Sequence, residues 1–123
     1  MRYLTDRKRA TGLGSAHSGA EHHWHMIVTS VLLTGLVPMF VFTFGLGLGM
    51  EYDQAAAYYS RPFPAIIGIL TLLVGFVHFR SGVQSAIEDY THGFLRKALI
   101  IAAIGLCYTL AAIGIFAIVR IAL

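Results

Sequence analysis

The chain has 123 residues, 57% of them hydrophobic and only 12% charged, with a mean hydropathy of +0.72. A soluble domain this small has too much surface to hide so much apolar material, which excludes an ordinary water-soluble fold. The net charge of +3 does not indicate nucleic acid: four of the nine basic residues, Arg2, Arg7, Lys8 and Arg9, sit in one tail beside an apolar run, where they meet anionic lipid or set orientation.

Met1 to His25 reads as a polar tail rich in Gly, Ser and His. It lacks a short apolar core followed by a small-residue cleavage site, so insertion is expected to be driven by the mature helices. Its histidines, His17, His22, His23 and His25, show no metal-ligand spacing on a defined element. An interfacial segment touching a partner is the better reading, with Trp24 at headgroup level. Met26 to Met50 carries no charge and at 1.5 Å per residue gives roughly 37 Å of helix, enough to cross a hydrocarbon core of about 30 Å. Pro38 inside it is expected to kink the helix. Glu51 to Pro62 reads as a polar loop whose Tyr52, Tyr58 and Tyr59 form an interfacial belt.

The second span begins at Phe63, with Pro62 and Pro64 suited to a first helical turn, and runs past Arg80 to about Ile87, with a polar extension ending near Tyr90. Thr91 to Arg96 is a turn containing Gly93, and a third span follows from Lys97 to Val119. Cys107, the single cysteine, lies within that span and reads as a small buried hydrophobe. The expected fold is therefore all-α: one domain, a polar tail over 1–25 and three transmembrane helices at about 26–50, 63–87 and 97–119. Placing the tail and the second connection in the cytoplasm puts seven basic residues inside and two outside, so the N-terminus is expected in the cytoplasm and the C-terminus in the periplasm. Gly35, Gly45, Gly47, Gly75, Gly82, Gly105 and Gly114 offer close backbone approach, and so small a bundle is expected to need partners.

The second span holds the specific chemistry, in HFRSGVQSAIEDYTH, His78 to His92. At 100° per residue His78, Ser81, Gly82, Ser85 and Asp89 share one narrow, small and polar stripe, with Arg80 and Gln84 roughly opposite. A histidine between Val77 and Phe79 is costly in lipid. Two readings follow: a hydrogen bond between helices, or an axial ligand to haem iron, the second favoured by Gly75, Ser81 and Gly82, which let a flat macrocycle approach the backbone. The other five histidines lie in polar segments near the cytoplasmic boundary, His25 at the wrong depth unless the first helix slides inward. A second ligand from another chain is thus expected. Asp89 and Tyr90 close the stripe at its cytoplasmic end. A phenol can donate to a quinone carbonyl and a carboxylate can relay the protons that quinone reduction consumes. Arg80 is expected to snorkel toward the cytoplasm.

These residues resemble the small D-type membrane-anchor subunits of succinate dehydrogenase, respiratory complex II. The resemblance covers the whole architecture, and its specific core is His78, Gly82, Asp89 and Tyr90, in the pattern H-x3-G-x6-D-Y. The tail GSAHSG, Gly14 to Gly19, with His22 and Trp24 is similar to the alphaproteobacterial branch, except that Met26 and Ile27 follow His25 where that branch leads one to expect an arginine. The resemblance implies His78 as an axial ligand of haem b and hence a ligand of its iron, Tyr90 as a hydrogen-bond donor to ubiquinone, and Asp89 beside it. It implies a four-subunit complex in the bacterial inner membrane, with a flavoprotein, an iron–sulfur subunit and a second, C-type anchor that shares the haem. Succinate oxidation then lies outside this chain, which would dock the catalytic subunits and link the citric acid cycle to the respiratory chain. A fumarate-reducing relative, a small proton-conducting transporter subunit and an assembly factor are the alternatives.

Overall fold

A computed structural model describes residues 4–12 and 19–123. Among the described residues five helices follow one another: α1 (Asp6–Thr11), α2 (Gly19–Gly45), α3 (Tyr52–Tyr59), α4 (Pro62–Tyr90) and α5 (Gly93–Ala122). No strand occurs among the described residues. The three long helices have 27, 29 and 30 residues, about 40–45 Å each, and all three are long and apolar enough to cross a membrane. The expected all-α fold with three spans is what the chain adopts.

The boundaries differ from expectation for local reasons. The first span runs Gly19–Gly45 instead of 26–50. Ala20 to His25 contains no helix breaker, so the helix begins before the apolar run does and its polar first turns extend beyond the hydrocarbon. It ends early because Gly45, Gly47 and Gly49 alternate with leucines. Three turn bonds, from the N–H groups of Gly47, Leu48 and Met50, close this segment, and Gly49 takes φ 87°, a left-handed geometry that glycine tolerates best. Helix α2 continues through Pro38 as one element; the missing N–H leaves the Thr34 carbonyl without its intrahelical donor. Within the expected tail, Thr5 caps α1 by accepting from the Lys8 N–H at 3.3 Å.

The connection after α2 is not an open loop. It contains α3, and two of its tyrosines fold back on the end of α2. Tyr58 Oη donates to the Thr43 carbonyl at 3.1 Å and Tyr59 Oη to the Phe44 carbonyl at 2.8 Å. The last carbonyls of a helix lack N–H partners, and in lipid that deficit is expensive; here phenols fill it. Phe40, Phe44 and Tyr59 stack in sequence. Of the expected tyrosine belt only Tyr52 remains exposed; Tyr58 and Tyr59 are half-buried. Gly47 is needed there, because any side chain would collide with the Tyr59 ring.

Helix α4 is central. It packs on both α2 and α5, and no Cα of α2 comes within 8 Å of one in α5. Small residues carry the contact: Pro64, Ala65, Ile67 and Gly68 on α4 are buried, as are Cys107 and Ala111 on α5. A methyl on Gly68 would stand 2.8 Å from Ile118 Cδ1 and 2.9 Å from Phe44 Cζ, so this glycine lets both neighbours close on one point. Gly114 receives Leu72 in the same way. Gly35, Gly45, Gly75, Gly82 and Gly105 meet nothing within 4 Å; their open faces look away from this chain's own packing. Only Thr91 and His92 separate α4 from α5, a tighter turn than Thr91 to Arg96, made possible by Gly93 at φ 65°. Large apolar side chains stay exposed along all three spans, among them Leu32, Val41, Phe42, Ile66, Leu73, Ile101 and Phe116, a surface suited to lipid or to other membrane helices.

Candidate functional site

His78 lies on α4 facing α2, and its ring is half-buried. Its Nδ1 is 2.9 Å from Thr29 Oγ1. The same hydroxyl lies 2.9 Å from the His25 carbonyl and 3.0 Å from the Met26 carbonyl. Carbonyls only accept. When the single hydroxyl proton goes to one of these carbonyls, Nδ1–H donates to Oγ1. The imidazole is then the tautomer with its proton on Nδ1 and a free lone pair on Nε2. Fixing one ring nitrogen by a hydrogen bond while leaving the other basic is how proteins orient a histidine that binds metal. The two sequence readings of His78 are thus compatible: a bond between helices exists, and it uses the nitrogen that a metal does not need.

The rest of the stripe is small and internally satisfied. Ser81 Oγ donates to the Val77 carbonyl and Ser85 Oγ to the Ser81 carbonyl, both at 3.1 Å. Gly82, one turn from His78, has open space where a Cβ would sit, and so has Gly75 on the other side. A flat apolar group with a metal at its centre fits this wall: one imidazole nitrogen free, small residues above and below, no unsatisfied hydroxyl. Among the described residues no trio of His, Cys, Asp or Glu converges.

Asp89 and Tyr90 end α4, both exposed, Tyr90 at 86%. Beside them Glu88 accepts from Gln84 Nε2 at 3.0 Å and lies 3.7 Å from Arg96, which ties the end of α4 to the first turn of α5.

Two expectations change. Because α2 begins at Gly19, His25 sits one turn, about 6 Å, from the level of Thr29, and depth no longer separates it from His78. Arg80 does not snorkel. Its Nη1 donates sideways to Tyr108 Oη at 3.1 Å, with the guanidinium 5.9 Å from that ring's centroid; a phenol and a π face hold it across the α4–α5 seam. Sequence reading missed Thr29 and Tyr108. A hydroxyl within an apolar run was a visible signal, but pairing it with His78 requires the register between helices. His17 and most of the GSAHSG segment lie outside the described residues.

The family model for the succinate dehydrogenase/fumarate reductase transmembrane subunit matches residues 1–116. The chain belongs to that family. It is 45% identical over 123 residues to the succinate dehydrogenase hydrophobic membrane anchor subunit of Paracoccus denitrificans, covering all of this chain and 95% of that protein. No solved structure matches it. The chain is accordingly a multi-pass anchor subunit in the bacterial inner membrane, part of an oxidoreductase complex. Cys107, 3% exposed on α5, is the buried packing residue that its position in the apolar run indicated.

Proposed function

We propose that this anchor subunit serves a succinate:ubiquinone oxidoreductase, supplying His78 as one axial ligand of a b-type haem shared with a second anchor subunit, and Tyr90 with Asp89 as part of the ubiquinone-reduction site. The observation that carries the reading is the Thr29–His78 bond at 2.9 Å, which orients the ring and leaves Nε2 free beside the open faces of Gly75 and Gly82. Haem b, when bound, supplies a one-electron carrier within the membrane. The resemblance to complex II anchors supports a second ligand from the partner anchor in preference to His25.

At the end of α4, Tyr90 donates from its phenol to a quinone carbonyl oxygen, and Asp89 holds or passes a proton there. Both stand at the helix end where protons can be drawn from water. On this reading the end that carries them faces the cytoplasm, where the flavoprotein and iron–sulfur subunits dock and where succinate is oxidised. The family also includes fumarate reductase anchors, and the same residues would serve the reverse reaction. The decisive experiment is a reduced-minus-oxidised optical spectrum of the purified complex, native and with His78→Ala. A b-type spectrum that the substitution abolishes or alters is expected. A native complex without haem, or a spectrum indifferent to His78, refutes the assignment.

A further inference from the structure

Arg80 stands four residues past the midpoint of the 29-residue α4, about 6 Å from the helix centre and ~15 Å from its cytoplasmic end. Its partner Tyr108 is close to the middle of the 30-residue α5. A guanidinium is thus held deep in the membrane by a neutral phenol. It carries five N–H donors, one of which goes to Tyr108, and its Nε is buried with no acceptor. Tyr108 Oη accepts from Arg80, and among the described residues its own hydroxyl proton has no acceptor. The acids of α4 offer no help: Glu88 is engaged by Gln84 and Arg96, and Asp89 lies nearer the exposed helix end, more than two turns beyond Arg80. The cluster therefore has donors in excess and a positive charge without a counter-charge.

We propose that the Arg80–Tyr108 pair is the receptor for an aspartate or glutamate side chain on a transmembrane helix of another subunit, packed on the outer face of the α4–α5 seam. A carboxylate accepts only, offers about four lone-pair directions and matches the fork of a guanidinium. Lipid phosphate is the wrong source, because the guanidinium is fixed sideways at mid-membrane level and not extended toward a headgroup. A group seated on His78 is also the wrong source: Arg80 and His78 point about 160° apart around α4. The surface around the pair suits a helix, with Leu70, Leu73 and Val77 exposed on the same side of α4. Intramembrane charges are retained where they meet a partner, and this contact would fix the register of the neighbouring helix independently of haem or quinone.

The test uses the assembled complex in its native membrane. A photo-crosslinking p-benzoylphenylalanine is placed at the exposed Val77 position, and adducts are identified by mass spectrometry. The expected adduct is with a transmembrane segment of another subunit that carries an acid within a turn of the linked residue. That acid is then neutralised to Asn or Gln alone, Arg80→Gln is made alone, and both are combined, with retention of the anchor in the detergent-extracted complex as the readout. Coupling of about three- to thirty-fold between the two substitutions is expected, with Tyr108→Phe giving a smaller loss. Adducts with lipid alone, a linked segment without an acid, or losses that simply multiply would each overturn the proposal.

Discussion

Replacing Thr29 with valine tests the orientation of His78 without touching the imidazole. The two side chains have the same shape, so α2 keeps its packing and only the hydroxyl that bonds Nδ1 at 2.9 Å is lost. The burial of the ring sets the magnitude. A neutral hydrogen bond of this kind contributes about 1 kcal/mol net, and a half-buried donor left without an acceptor costs about 1–3 kcal/mol in its place. Substitution of groups that orient a metal-bound histidine typically lowers metal affinity about 10–100-fold, equivalent to roughly 1.4–2.7 kcal/mol, and the two ranges agree. The assay is haem content per complex during stepwise detergent or imidazole challenge, with the optical band position and the midpoint potential followed on the same samples. Thr29→Val is expected to lose haem at about one-tenth the challenge concentration that the native complex withstands. Thr29→Ser, which keeps the oxygen, is expected to stay near native. The reasoning is refuted if Thr29→Val retains haem, spectrum and potential unchanged, or if Thr29→Ser fails as badly as valine.

Other predictions address separate parts of the chain. Tyr90→Phe is expected to lower succinate:quinone reductase activity about 100-fold or more, the lower end of the scale for a positioned proton donor, while succinate oxidation with an artificial acceptor stays near native; equal loss in both assays would remove the quinone role. Gly68→Val is expected to destabilise the anchor by about 1–3 kcal/mol through overpacking, since even its first carbon would meet Ile118 and Phe44 at under 3 Å; thermal dissociation of the complex measures it, and an unchanged midpoint would contradict the three-helix contact. Reporter fusions are expected to place the N-terminus in the cytoplasm and the C-terminus in the periplasm, and the opposite pattern would reverse the docking face.

What the sequence could and could not reveal divides along physical lines. Spans are legible because the cost of charge in hydrocarbon writes itself into composition: the polar interruptions at Glu51 to Arg61 and Glu88 to Lys97 contain the two connections between the long helices. The stripe from His78 to Asp89 is legible because 3.6-residue periodicity is local. Helix ends are less so. Ala20 to His25 is polar yet helical, and Gly45 to Gly49 is apolar yet turned, because propensity and hydrogen bonding decide there and hydropathy does not. Pairings between helices are not legible at all. Tyr58 on the Thr43 carbonyl, Thr29 on His78 and Arg80 on Tyr108 join positions 15, 49 and 28 residues apart, and each requires the register of one helix against another.

That register also explains how one helix can serve two neighbours. On α4, His78 and the open glycines Gly75 and Gly82 occupy one side, while Arg80 reaches Tyr108 on the other. A 29-residue helix in contact with both α2 and α5 still leaves two lines of approach, because α2 and α5 do not close on each other. One is uncharged and lined by small residues, suited to a planar apolar group. The other is cationic and rich in donors, suited to an acid. Exchanging the two kinds of residue should therefore be intolerable in a specific way. Gly82→Leu is expected to remove haem while the anchor stays in the complex, and Arg80→Gln to loosen the anchor while haem spectra of the intact fraction stay native. Measuring haem content and subunit retention on the same preparations separates these outcomes, and parallel loss of both in either variant would show that the two sides of α4 do not act independently.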